Sequence, residues 1–158
     1  MTAVARNVSQ PNDRPPHVVA GGVLDLIDRS RDCLLEACHQ QDLCERYRCA
    51  QLGALRAAAA LLAARSRRTS RSGPRSVWQV VATVAPELTE WAEFFAATGQ
   101  RGQVFDRGVR RPTQREADDL IRDAETFLGM VLQALGLPMG PSAPLEISSG
   151  RGWSEKYL

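Results

Sequence analysis

The chain has 158 residues, of which 44% are hydrophobic and 24% are charged. This length suits one domain with a sizeable core, and the composition is that of an ordinary soluble globular protein. The formal net charge of +2 is too small to indicate a nucleic-acid binder by itself. No stretch approaches the ~20 apolar residues of a membrane-spanning helix, and no secretion signal is visible, so we expect a cytoplasmic protein that does not bind a membrane.

The chain divides into three parts by composition. Residues 1–21 are rich in Pro, Asn and Ser without a sustained period, which predicts a disordered leader. Residues 22–137 carry helical periodicity and form the predicted domain. Residues 138–158 are a Pro/Gly/Ser-rich tail, predicted to be disordered or to lie across the helices. The tail aromatics Trp153 and Tyr157 are candidates for contact with a partner.

Two helices open the predicted domain. The first runs from about Gly22 to Gln40, and the second starts at the N-cap residue Asp42 and ends near Ser66. The second helix carries two apolar stripes, which predicts a central position with contacts on more than one side. Gly53 within it predicts a close backbone approach, because a helical glycine costs ~1 kcal/mol relative to alanine. The second of these stripes consists of Leu52, Leu55, Ala59 and Leu62.

The third helical segment, residues 76–99, holds four of the nine aromatic side chains. Ser76 followed by Gln79 has the pattern of a capping box, and Gly99 is a suitable C-terminal residue. Pro86 predicts a kink or a split within the segment. The helical spacing of the aromatic residues favours a core or a dimer face over base stacking, and Phe94, which lies off the main stripe, is the first candidate for a subunit contact. The aromatic residues are Trp78, Trp91, Phe94 and Phe95.

A last helix starts at Thr113, where Glu116 completes a second capping box, and Gly136 with Pro138 ends it. No stretch has strand character. The sequence therefore predicts an all-α protein, an antiparallel up-and-down four-helix bundle whose third helix is kinked near Pro86, with disordered tails.

Basic residues gather in the two longer connections. Arginine clusters on loops are suited to phosphate contacts, although 19 of the 20 basic residues are arginine, so a solvated loop is the competing interpretation. An up-and-down bundle would place the two connections at opposite ends, and a kink or an antiparallel dimer would be needed to join them. The candidate nucleic-acid contacts are Arg65, Arg67, Arg68, Arg71, Arg75, Arg107, Arg110, Arg111 and Arg115.

Metal and cofactor sites are not predicted. The cysteines are separated by five or six residues, unlike the close pairs of a zinc site, so they are expected to be packed free thiols in a reducing compartment. The acidic residues of the last helix fit a solvated face that complements the helix dipole. The sequence also has no phosphate-binding glycine loop and no Ser-His-Asp arrangement. The cysteines are Cys33, Cys38, Cys44 and Cys49, and the acidic residues are Asp118, Asp119, Asp123 and Glu125.

Three phrases resemble the HEPN superfamily, and a small actinobacterial branch of stand-alone HEPN-like proteins in particular. They are RYRCAQLGALRAAAALLAAR (46–65), PRSVWQVVATVAPELTEWAEFFA (74–96) and READDLIRDAETFLGMVLQAL (115–135). The resemblance implies a helical bundle, often dimeric, in proteins that are ribonucleases or RNA-binding partners. The catalytic arginine of the superfamily is followed after four to six residues by a histidine, but the histidines here, His17 and His39, lie elsewhere.

The sequence thus favours a non-catalytic HEPN-like protein, expected to form a homodimer and to bind RNA or a protein partner through an arginine-bearing end. One alternative is a divergent, metal-independent ribonuclease in which Arg107, Arg110 and Arg111 hold the phosphate and Tyr47 or an acidic residue moves protons. Another alternative is a purely structural interaction module.

Overall fold

The computed structural model describes residues 16–65 and 76–140, and the side chains from residue 21 onward within them. This part of the chain is helical and contains no strand, which confirms the all-α class. The helices are α1 (Pro16–His39), α2 (Leu43–Arg65), α3 (Val77–Val84), a 3-10 turn (Pro86–Leu88), α4 (Thr89–Asp106) and α5 (Gln114–Ala134).

Helix α2 lies at the centre, in contact with α1, α3, α4 and α5. Alanines on its buried faces keep it thin enough for neighbours to approach. The closest approach is to α1, where the Ser30 hydroxyl donates a 2.7 Å hydrogen bond to the Gly53 carbonyl. A Cβ atom at Gly53 would lie 2.7 Å from Cδ2 of Leu34. The central position of α2 and the close approach at Gly53 are therefore both confirmed.

The segment around Pro86 is split into two helices, which confirms the predicted split, whereas the alternative of one kinked helix is wrong. Helix α3 ends at Val84, Ala85 leaves the helical conformation (φ −131°, ψ 75°), and Pro86 opens the 3-10 turn. The ring centroids of Trp78 and Phe95 are 5.1 Å apart. In one continuous helix these residues would be separated by about 25 Å along the axis. The chain therefore reverses at Pro86, and α3 folds back along α4.

An aromatic cluster holds this reversal in place. Trp78 and Trp91 stack on Phe95, at centroid distances of 5.1 and 5.9 Å. Phe127 of α5 completes the cluster, 5.1 Å from Phe95. Phe95 and Phe127 are almost fully buried. The cluster thus joins α3, α4 and α5, which is the core role predicted for three of the four aromatic residues of the segment.

Two predicted helix ends are also wrong. Helix α4 continues through Gly99 to Asp106. Its Gly102 allows close packing on α2, since a Cβ atom there would lie 2.5 Å from the Gln51 side chain. Helix α1 begins at Pro16, six residues before the predicted start, where proline suits a first helical turn. Residues 16–21, assigned to the leader from composition, are therefore helical. The rest of the leader, and the tail beyond residue 140, lie outside the described residues.

Substitution by alanine is expected to have opposite effects at two helical glycines, Gly53 and Gly99. Gly53→Ala is expected to lower the free energy of unfolding by about 1–2 kcal/mol, because overpacking against Leu34 outweighs the gain in helix propensity. Gly99→Ala is expected to raise it by about 0.5–1 kcal/mol, since its Cβ would meet only a Gln51 nitrogen at 3.9 Å. Urea unfolding followed by circular dichroism measures both, and an equal gain for the two variants would contradict the close contact at Gly53.

Candidate functional site

The connection between α4 and α5, residues 107–113, meets the connection between α1 and α2 at one end of the molecule. The Arg111 guanidinium donates a 2.7 Å hydrogen bond to Asp42. The other Asp42 oxygen caps α2 by accepting from the backbone N–H groups of Cys44 and Glu45, at 2.9 and 3.1 Å. The Glu45 N–H and then Arg111 lower the pKa of Asp42. The predicted N-cap is confirmed, and it also holds Arg111.

Arg110 is held by Glu116, the third residue of α5 and a member of its capping box. Its guanidinium makes two 2.9 Å hydrogen bonds to the Glu116 carboxylate and lies 4.8 Å from the centre of the Phe105 ring. Glu116 also accepts from the Thr113 N–H at 2.8 Å, while its own N–H donates to the Thr113 hydroxyl, as the capping box predicted. The hydrogen bonds from Arg110, followed by that from Thr113, lower the pKa of Glu116 to about 2. The charge of Arg110 is therefore paired within the chain, at the start of α5.

Two further arginines connect α2 to its neighbours at this end. Arg46 is 2.6 Å from Asp118 of α5 and donates to the Gln40 carbonyl. Arg48 reaches Asp106 at the end of α4, at 3.1 Å, and Glu45 on its own helix, at 2.8 Å. Sequence reasoning missed both, because a partner 58 or 72 residues away leaves no local signal.

The remaining predicted arginines are more dispersed. Arg107 forms no ion pair with a described residue, and the side chain of Arg115 is 91% exposed with Asp119 at 3.6 Å. Arg65 pairs with Glu87 at the other end of α2, a helix about 35 Å long. The other candidates, Arg67, Arg68, Arg71, Arg75, Trp153 and Tyr157, lie outside the described residues.

Tyr47, the tyrosine considered for proton transfer, and His39 both contact backbone carbonyls. The Tyr47 hydroxyl donates to the Thr98 carbonyl at 3.0 Å, and burial raises the pKa of this phenol. His39 lies at the end of α1, with its Nδ1 2.8 Å from the Leu35 carbonyl. The structure thus gives Tyr47 a structural role and keeps Arg110 and Arg111 on carboxylates. Among the described residues, no group of three or more His, Cys, Asp and Glu side chains is arranged to hold a metal ion.

The four cysteines are free thiols. Cys33 is buried between α1 and α2, and an Nη1 atom of Arg56 lies 2.8 Å from its sulfur. Burial, as the largest cause, raises the pKa of Cys33 and of Cys49. Because both thiols are protonated at neutral pH, they are poor nucleophiles, in agreement with a packing role.

An open apolar groove runs between α2, α3 and α4. It has a volume of about 260 Å³ and is lined by Trp78, Phe95 and the leucines Leu52 and Leu55. The two leucines belong to the second stripe of α2, yet they remain 38% and 37% exposed. The expectation that a neighbouring helix covers this stripe is therefore wrong at Leu52 and Leu55. The sequence signalled the stripe but could not show that the reversal at Pro86 leaves it partly open.

Arg48 and Gln51 form the polar rim of the groove. Gly99 also lines the groove, and because it has no side chain the groove stays open on the α4 side. An apolar floor with a polar rim is the usual composition of a protein contact site.

The sequence model of the SAV_6107-like HEPN family matches residues 37–132, more than half of the chain. The protein belongs to this HEPN family. The match begins at the end of α1 and reaches into the last turn of α5, so it includes both the arginine-bearing end and the groove. No curated protein and no solved structure matches the chain. Within the described residues of this HEPN protein, no helix combines the length and apolarity needed to cross a membrane.

The Arg110–Glu116 pair predicts a specific acid dependence. The folded-state pKa of Glu116 is below its ordinary value of 4.5, so its stabilising contribution is complete above about pH 4.5 and is lost as the pH falls towards about 2. Glu116→Gln is therefore expected to be less stable than the wild type at pH 7, with a difference that shrinks over this range. Urea unfolding at several pH values measures it, with Glu125→Gln as an exposed control. A difference in stability that is independent of pH would contradict the lowered pKa of Glu116 in its pair with Arg110.

Proposed function

We propose that this HEPN protein is a non-catalytic binding module whose ligand is another protein. The observation that carries the proposal is the apolar groove between α2, α3 and α4, where Leu52 and Leu55 are exposed beside the partly buried ring of Trp78. Large apolar side chains at the centre of a polar rim are the usual anchors of a protein interface.

The ion pairs at the α4–α5 end favour a protein over RNA as the ligand. Arg110 and Arg111 each hold a carboxylate of the same chain, so a phosphate would have to compete with Glu116 and Asp42. Counterion release, which drives nucleic-acid binding, requires arginines whose charge is not already neutralised. Arg107 and Arg115 are the two candidates of this connection that retain most of their charge for a ligand.

The groove also limits the size of its occupant. Its volume of about 260 Å³ is below the roughly 300–1,000 Å³ of typical small-molecule sites. It therefore suits one large side chain of a protein segment, such as tryptophan or leucine, better than a cofactor.

We also propose how the helices are arranged. Four long helices, α1, α2, α4 and α5, form an antiparallel up-and-down bundle, with α3 as an additional short helix against α4. The three-residue connection between α1 and α2, and the contact between Arg111 and Asp42, support alternating directions. A cytoplasmic location stays a prediction.

A small molecule that carries the side chain of tryptophan tests whether the groove binds such a residue. N-acetyl-tryptophanamide titrated into the ¹⁵N-labelled protein is expected to shift the amide signals of Leu52, Leu55 and Gly99. Leu55→Glu should abolish these shifts, because a carboxylate would enter the apolar floor, while the exposed control Leu35→Glu on α1 should keep them. Shifts scattered over the surface, or unchanged in Leu55→Glu, would contradict the proposal.

Binding of RNA is the hypothesis that competes with binding of a protein. Labelled single-stranded and structured RNA, titrated at low and moderate salt, are expected to show only weak fluorescence-anisotropy changes. Tight binding that weakens steeply with salt would favour the nucleic-acid reading, and its loss in Arg107→Ala/Arg115→Ala would locate it. RNA cleaved by a repurified sample would favour the divergent ribonuclease instead.

A further inference from the structure

The chain folds back on the helices after the end of α5. Gly136 has a φ of +66°, and the backbone N–H of Leu137 donates a 2.9 Å hydrogen bond to the Leu132 carbonyl. This is the hydrogen bond of a helix end at which a glycine reverses the chain. Met139 then packs on Gly129, where a Cβ atom would lie 2.8 Å from the Met139 methyl carbon. The segment that follows α5 therefore runs back along this helix.

A contact with α1 fixes the point from which residues 141–158, which lie outside the described residues, continue the chain. Arg31 donates a 2.8 Å hydrogen bond to the Gly140 carbonyl. Trp153 lies 13 residues further along the chain, which allows a reach of about 43 Å when extended. A helix with its side chains is about 10–12 Å wide. Because α2 packs directly on α1 and α5, this length is sufficient to pass around a helix and reach the groove between α2, α3 and α4.

The sequence around Trp153 matches the groove in size and in charge. The groove suits one large side chain, and tryptophan is the largest that the segment contains. At the rim, Arg48 is bound to two carboxylates, one on α2 and one at the end of α4, at 2.8 and 3.1 Å, so this group of three side chains has a net negative charge. Around Trp153 the cations Arg151 and Lys156 outnumber Glu155. The segment is therefore attracted to this rim.

We propose that the side chain of Trp153 occupies the groove of its own chain and closes it until a partner protein displaces it. This inference rests on the proposed function, because it takes the same groove as the binding site. A short tether gives a bound segment an effective concentration in the millimolar range. A partner therefore has to bind the groove more tightly than residues 141–158 do, and weak ligands are excluded.

Substitution of the tryptophan in the full chain tests the contact. In ¹⁵N-labelled Trp153→Ala, the amide signals of Leu52, Leu55 and Gly99 are expected to differ from those of the wild type, since the indole ring no longer covers the groove. N-acetyl-tryptophanamide is expected to bind this variant roughly three- to tenfold more tightly, because the tethered competitor is absent. Tyr157→Ala, which removes the other aromatic ring of residues 141–158, is the matched control and should behave like the wild type.

A second substitution shows whether the contact lies in the groove. In Leu55→Glu, the further change Trp153→Ala is expected to leave the Gly99 signal where it is, because the groove is already blocked. Equal groove signals and equal probe affinity in the wild type and Trp153→Ala would overturn this inference alone. A probe that binds the groove of neither chain would overturn the proposed function as well. Signal changes that disappear on dilution would place the contact between two copies and would overturn the assignment to one chain.

Discussion

The stack of Trp78 on Phe95 is the contact on which the rest of the arrangement depends. It requires the chain to reverse at Pro86, and it brings α3 against α4 over the buried ring of Phe127. Because α3 turns back, it contacts only part of α2, and Leu52 and Leu55 remain accessible. One aromatic cluster thus determines the groove of the proposed function.

The arginines at the α4–α5 end have a structural role. Arg111 binds Asp42, which caps α2, and Arg110 binds Glu116, which completes the capping box of α5. Each pair therefore stabilises a helix start and a connection at once. Exposed ion pairs contribute little individually, but here each also orients a capping carboxylate. Arg110 and Arg111, which suggest phosphate binding in the sequence, are thus paired with carboxylates of the same chain in this HEPN protein.

Local features were predictable from the sequence. The caps at Asp42, Ser76 and Thr113 depend on residues two or three positions apart, and all three are present. The reversal at Pro86 was not predictable, because a proline is compatible with a kink as well as with a turn, and the deciding contact lies 17 residues away along the chain. For the same reason, the apolar stripe at Leu52 could be recognised but not its exposure.

The reversal at Pro86 is the central claim, and proton–proton nuclear Overhauser effects between the rings of Trp78 and Phe95 test it most directly. The structure predicts strong cross-peaks, because the ring centroids are 5.1 Å apart. Cross-peaks from Phe95 to Phe127, also at 5.1 Å, serve as the internal reference. The absence of Trp78–Phe95 cross-peaks in a sample that shows the reference would contradict the reversal, and with it the origin of the groove.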